Sequence, residues 1–255
     1  MPLDIRRVRD HRPQNTLHYF ASIGSTMIEA ARLAVSGAPH GTVVIADEQT
    51  SGIGRLGRSW ISAPELGLYL SALLRLPLAP ARAPLANLLV GLATAEAIQK
   101  ATHLACDLRW PNDVLIGEKK VAGVLPQLLD SCVVAGVGIN VNNTGFPGDL
   151  RTPATSLLLA AGGRPQSRED LLVHLLESLD SGCELLARQG PEAILSAFTA
   201  ASSYVLDRRV IAEENGWRGI TAGLDADGFL LLRSETGHIK RISSGGVRPD
   251  IGARA

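Results

Sequence analysis

Two spacings of apolar residues organise the chain. Leu17–Phe20, Thr42–Ala46 and Leu68–Leu74 are short apolar runs between polar segments, and such runs predict strands. Ser25–Val35, Pro84–Lys100, Arg168–Arg188 and Pro191–Ala200 repeat apolar residues at helical intervals, which predicts four amphipathic helices. Thr26 with Glu29 three residues later reads as a capping box, and Gly37 as the stop of that helix. Short strands are expected at Asp107–Arg109, Val114–Ile116, Val121–Leu129 and Val133–Gly138, with polar connections that suggest hairpins in a mixed sheet. Residues 142–167 are rich in Gly, Pro, Asn and Thr, with one short helical piece near Ala154–Ala161. After Ser203 the texture changes. Arg209–Ala212, Trp217–Leu224, Phe229–Arg233 and His238–Ile242 are short strand patterns parted by the turn signals Asp225–Gly228 and Glu235–Gly237, a pattern that suggests a small closed barrel. The expectation is an α+β fold with two domains, residues 1–202 and 203–255, in which the polar residues 1–15 form an irregular N-terminus.

Composition narrows the function. A chain of 255 residues buries a large core. Lys+Arg and Asp+Glu are both 25, and a net charge of zero argues against nucleic acid as the main partner. Cys106, Cys132 and Cys183 are widely spaced with no C-x-x-C, which reads as free thiols in a reducing compartment. The opening MPLDIRRVRDHRPQ has no apolar run, and no stretch is long enough to span a bilayer. A cytoplasmic protein without a membrane partner is expected. The six histidines lack ligand spacing, so none is assigned to a metal.

The chemistry concentrates in two segments. Residues 47–60 read DEQTSGIGRLGRSW, a glycine loop with two arginines and a tryptophan. Gly52, Gly54 and Gly57 spell G-x-G-x-x-G, but the loop runs into Ser59–Pro64 rather than a helix, so the dinucleotide reading fails on context. An exposed hairpin loop with solvated arginines is the bland alternative. Trp60 at its end is either a stacking face for a base or a core residue. Residues 109–123 read RWPNDVLIGEKKVAG. Pro111–Asn112–Asp113 is a turn signature. Lys119 and Lys120 adjoin a strand, so alternation sends their side chains to opposite faces, and the inward one needs an anion. Gly123 leaves room for a ligand to approach. Asn140 ends another glycine-containing strand, Ala135–Asn140. Together these suggest a lined cleft.

In order, Ser25–Thr26, Gln49 with G-x-G-R-x-G-R-x-W, WPND, K-x-A-G and G-x-G-I-N-V-N make the chain resemble the biotin–protein ligases, from about residue 20 to the C-terminus. The resemblance implies a mixed-sheet catalytic domain with a small SH3-like barrel. Fewer than 25 residues precede Ser25, too few for the family's winged-helix repressor domain, so the ligase-only branch is the expectation. It implies that biotin's carboxylate attacks the α-phosphate of MgATP to give biotinyl-5′-AMP. A lysine of a biotin carboxyl carrier protein then attacks that anhydride. By the same resemblance Ser25, Thr26 and Gln49 bind the biotin rings, and Gly52, Gly54, Arg55 and Arg58 belong to the loop that orders over biotin and its adenylate. Trp60 covers adenine, Asn112 and Asn140 hold the nucleotide, Lys120 contacts carboxylate and α-phosphate, and Gly123 and Gly136 line the biotin slot.

Asp113, the acid inside a motif, is a candidate base for the second step. Holding the turn through backbone hydrogen bonds is its structural alternative. The helix start at Thr26 likewise has both a capping and a ligand-donor reading. Four positions depart from the family pattern: Gly24 for Asp, Met27 for Asn, Ile53 for Arg and Arg109 for Lys. The lost arginine at 53 should loosen loop closure, unless Ile53 packs on the ligand instead. The rivals are a lipoate ligase or octanoyl transferase of related fold, and a degenerate binding module. A homodimer through an exposed sheet edge is compatible with the pattern, though no residue requires it.

Overall fold

A computed structural model describes residues 1–76, 78–129 and 132–250. The apolar runs become β1 (Thr16–Phe20), β2 (Thr42–Ala46), β3 (Gly67–Leu74), β4 (Asp107–Arg109), β5 (Asp113–Ile116), β6 (Lys119–Leu129) and β7 (Cys132–Asn140). They form one mixed sheet in the order β1-β2-β3-β7-β6-β5-β4. β1 and β2 run parallel, and the other neighbours are antiparallel.

The helices are α1 (Ile5–His11), α2 (Thr26–Val35), α3 (Ala83–Thr102), α4 (Leu157–Ala160), α5 (Arg168–Gln189) and α6 (Pro191–Ala200). Side-chain alternation in the strands divides them between two faces. Val43, Ile45, Leu68 and Leu70 share the main core with Leu85, Leu89, Leu172 and Leu175 of α3 and α5. Val44, Leu73 and Val134 point the other way and pack with Met27 and Ala30 of α2. Among the described residues no helix is long and apolar enough to cross a membrane.

A second sheet follows, from β8 (Leu206–Ala212), β9 (Arg218–Leu224), β10 (Leu230–Arg233), β11 (Ile239–Ile242) and β12 (Val247–Pro249). It is antiparallel in the order β11-β10-β9-β8-β12, the strand order of an SH3-like barrel. β12 carries no strand-like run in the sequence; it forms because its three residues pair with Ala212, Ile211 and Val210. Val210, Leu230 and Leu232 belong to the main core, and the Trp110 indole Nε1 donates to Gly228 O at 3.0 Å, so the two sheets share a seam.

Two expectations are corrected. Residues 1–15 are not irregular: they contain α1, whose N-cap Asp4 accepts from the amides of Arg6 and Arg7. Leu3 and Val8 are buried in the core that also holds α5. A polar composition hid two well-placed anchors. Thr26 is not the cap of α2. Ser25 holds that position without a side-chain cap bond, because the Thr26 hydroxyl is committed to Gln49.

Candidate active site

The β5–β6 hairpin sets the first half of the site. Its turn, Gly117–Glu118, has φ of +54° and +64°, the left-handed pair of a tight two-residue hairpin. The register then slips: Leu115 faces Lys120, but Val114 faces Ala122. Val121 is therefore the extra residue of a β-bulge. The bulge turns Lys120 and Gly123, three apart in sequence, towards the same cleft. The backbone of Lys120 is fixed by the 153–155 segment, donating to Pro153 O at 2.8 Å and accepting from Thr155 N at 2.9 Å. Lys119 is exposed, as alternation predicts.

Lys120 Nζ lies 2.6 Å from Asp113 Oδ1. Arg109, buried, pairs with the other Asp113 oxygen and donates to Thr152 Oγ1 at 2.9 Å. Burial alone would raise the Asp113 carboxyl, but the Lys120 and Arg109 charges and hydrogen bonds outweigh it and hold it below the ordinary carboxylate range. A carboxylate clamped between two cations is a poor proton acceptor. That environment opposes the base expected at Asp113.

The second half is a hydrogen-bond relay. Ser71 Oγ on the sheet donates to Thr26 Oγ1 at 2.9 Å. The Thr26 hydroxyl and amide both donate to Gln49 Oε1, at 3.0 and 2.9 Å. Gln49 Nε2 donates to Ser62 Oγ at 2.9 Å. This chain ties β3 and the start of α2 to both ends of the glycine loop. The hydroxyl of Ser25, buried beside it, has no hydrogen-bond partner among the described residues.

Across the gap lies the loop. Gly52 packs so tightly that a Cβ there would sit 2.4 Å from Trp60 O. The Trp60 ring lies over two glycines of the sheet: a Cβ would be 2.5 Å from it at Gly138 and 2.9 Å at Gly123. The Lys120 ammonium stands 5.3 Å from the ring centroid, and the indole Nε1 has no partner among the described residues. Trp60 therefore faces the slot expected for biotin as well as the larger cleft expected for nucleotide. At Gly136 a Cβ would lie 2.5 Å from Met27 Sδ, so the departure at Met27 fills space against the slot floor. Arg55 is half-way between the segments: its Nη1 donates to Asn112 Oδ1 at 3.2 Å and to Gly245 O at 2.9 Å. Burial lowers its pKa against the pull of Asp113 and Glu213.

The predicted residues converge. Thr26, Gln49, Gly54, Arg55, Trp60, Asn112, Lys120, Gly123 and Gly136 line a narrow slot of about 50 Å³. Arg58, Asp113 and Asn140 join Arg55, Asn112 and Lys120 around an adjoining cleft of about 370 Å³. Ser25 and Gly52 stand behind these walls. Sequence reasoning missed Gly138 and Ser62, which sat inside or beside quoted motifs. It also missed Phe146, Arg151 and Thr152 on the long loop, and Glu213 and Gly245 of the second sheet, which close the cleft. Nothing local in the sequence marks that last group.

The chain matches the model of the biotin/lipoate A/B protein ligase family over residues 19–142 and that of the biotin protein ligase C-terminal domain over residues 205–247. It is 33% identical over 244 residues to the biotin–[acetyl-CoA-carboxylase] ligase of Mycobacterium tuberculosis, covering 91% of this chain and 90% of that one. The chain belongs to the biotin–protein ligase family. The bifunctional ligase/repressor BirA of Bacillus subtilis is 34% identical over 242 residues, which are 91% of this chain and 73% of BirA. Among biotin–protein ligases of known structure, that of Aquifex aeolicus in complex with biotin and ATP superposes with a TM-score of 0.78 at 32% identity, covering 91% and 97% of the two chains. Membership makes this protein an enzyme, and a ligase.

Proposed function

We infer that the protein attaches biotin, at the expense of ATP, to a specific lysine of acetyl-CoA carboxylase, with the lysine carried on the biotin carboxyl carrier domain. The convergence of Lys120, Arg55 and the Gln49 relay on a slot that opens into a larger polar cleft supports this reading best. The slot takes biotin, and the cleft takes the nucleotide of MgATP. Joining a carboxylate to a triphosphate needs cations at the point of attack, because the reactants repel. Lys120, held by Asp113, meets the carboxylate and the α-phosphate. Arg55 exchanges its neutral oxygen partners for phosphate oxygens, which suit a planar guanidinium. Magnesium enters with the triphosphate: among the described residues no cluster of three acidic, histidine or cysteine side chains could hold a metal, and Mg²⁺ often binds chiefly through substrate phosphates.

In the second step the acceptor lysine attacks biotinyl-5′-AMP. Asp113 serves here by positioning Lys120 rather than by taking the proton. Residues 50–59 close over the adenylate and keep water out. Thr26 and Gln49 hold the biotin rings, with Ser25 behind them, and Asn112 and Asn140 hold the nucleotide. Residue 203 divides a catalytic domain from the barrel that closes its cleft. The balanced charge supports a ligase without a nucleic-acid partner, working in the cytoplasm, and the edge strands β1 and β4 offer a place for a homodimer.

The test is incubation with biotin, MgATP and an isolated carrier domain, followed by avidin blotting. Labelling should require all three, and lipoate or octanoate should not replace biotin in releasing pyrophosphate. Release with lipoate and not with biotin would overturn the reading.

A further inference from the structure

The face of the sheet opposite the slot carries a buried ion pair. Arg168, the first residue of α5, is 5% exposed, and Asp47, just beyond the end of β2, is 4% exposed. Arg168 Nη1 donates to Asp47 Oδ1 at 2.6 Å and to Gly67 O at 3.2 Å, while its Nη2 donates to Met1 O at 2.6 Å. The second oxygen of Asp47 accepts from the Tyr19 hydroxyl at 2.5 Å and from Leu3 N at 3.2 Å. Asp47 and Gly67 flank residues 48–66, the segment that contains Gln49, the glycine loop and Trp60. One guanidinium thus grips both stems of that segment, and Glu65 N donating to Asp47 O at 3.1 Å closes the same pair of stems.

Stability alone does not account for this arrangement. A buried ion pair gives little net stability over a well-packed apolar substitute, because both charges lose their water. What the pair fixes is geometry: a planar fork with set directions holds two backbone points at a defined separation. Gln49 stands two residues from Asp47; it bonds Thr26 and Ser62 and lines the slot beside Thr26 and Trp60, so its placement sets the slot wall. Burial, together with the hydrogen bond to Asp47, pushes the Tyr19 hydroxyl up to about 12, so that it stays a donor throughout the working range.

We propose that Arg168 is a positioning residue for biotin binding: through Asp47 and Gly67 it sets the stems of the 48–66 segment from the far face of the sheet. The proposal rests on the ligase reading above, and its test separates the two. Hydrogen–deuterium exchange and biotin titration are measured on the full chain as wild type, Arg168→Met, Arg168→Lys and Tyr19→Phe. In Arg168→Met, amides of 48–66 should exchange about tenfold faster, because the segment opens locally without global unfolding. KM for biotin should rise about tenfold, a change in ground-state binding, with kcat at saturating biotin nearly kept. Arg168→Lys should recover part of both changes, and Tyr19→Phe should show a smaller shift of the same kind. If Arg168→Met does not fold, the other two variants carry the same comparison. Exchange that accelerates evenly through α3 and the second sheet, or a 48–66 segment that exchanges as in wild type with unchanged biotin KM, would overturn the proposal. A wild type that neither binds nor adenylates biotin would sink the ligase reading, and the exchange pattern would still decide the clamp.

Discussion

The polar turn at 109–113 and the glycine loop at 52–59 bring positive charge to the same cleft, yet they are held in opposite ways. In the turn, Arg109 is buried and paired with Asp113, which also holds Lys120. In the loop, Arg58 is exposed and Leu56 is 68% exposed. Apart from the Arg55 guanidinium, which bonds Asn112 and Gly245, the loop keeps its shape through a few backbone bonds, such as Gly54 N to Arg58 O at 2.7 Å and Trp60 N to Gly52 O at 2.9 Å. On the proposed function, the chemistry explains the contrast. The cation that meets the developing phosphate charge must be in place before reaction, since preorganised charge costs no rearrangement in the transition state. The segment that excludes water must open for every substrate and product.

The sharpest way to break this comparison is Asp113→Ala. It leaves Arg109 and Lys120 without their shared carboxylate, and removing one partner of a buried pair costs about 3–5 kcal/mol of stability. Denaturant unfolding measures it. A loss under 1 kcal/mol, on the same scale, would mean that the turn is no more anchored than the loop. Acid should act in the same direction. The Asp113 carboxyl is depressed in the folded state, so its contribution is complete above the unfolded value of about 3.9 and disappears as pH falls through the lower folded value. In Asp113→Ala that part of the acid transition should be missing.

Next comes Lys120→Ala, which should raise the adenylation barrier by about 2–4 kcal/mol while Lys119→Ala leaves it nearly unchanged. Biotin-dependent pyrophosphate exchange reads both. Equal defects would show that the Val121 bulge does not aim Lys120 as described. Gly138→Ala probes the loop's resting place. The new methyl meets the Trp60 ring, and the loop gives way rather than the sheet. Its signature should be a changed Trp60 fluorescence and weaker biotin binding, with the denaturation midpoint moving little because the loop yields before the sheet does.

The smallest effect is expected at Ile53. Its side chain lines the slot and is 41% exposed, which favours apolar contact with the ligand over a simple deficit of charge. Ile53→Arg should then shift biotin affinity by less than about 1 kcal/mol, since only part of one side chain's burial is at stake. Clear tightening, with less biotinyl-5′-AMP escaping to bystander lysines, would show instead that the missing arginine governs closure.

What was legible in the sequence follows from what is local. Lys120, Gly123 and Asn112 lie on one continuous stretch, and Gly52 to Trp60 on another, so their chemistry could be read together. The helices α2, α3, α5 and α6 and most strands followed from periodicity. The bulge at Val121 could not be read, because an extra residue in a ladder depends on the partner strand. Glu213 and Gly245 reach the cleft only through the packing of the second sheet. Arg168 meets Asp47 across a sequence separation of 121 residues, and the N-terminal helix depends on two apolar side chains in an otherwise polar stretch.

Arg55 joins Asn112, in the turn before β5, to Gly245, in the connection between β11 and β12, with a single guanidinium nitrogen. That small feature makes the barrel a thermodynamic participant. On the proposed function, a nucleotide that draws Arg55 onto its phosphates trades away the bond to Gly245, and the energy of binding then includes the loosening of the seam. Linkage is reciprocal: whatever steadies residues 243–247 against the loop weakens nucleotide binding by the same factor, and whatever draws them away strengthens it. An acceptor protein leaning on the barrel would, by that bookkeeping alone, change how tightly the enzyme holds its nucleotide without touching it.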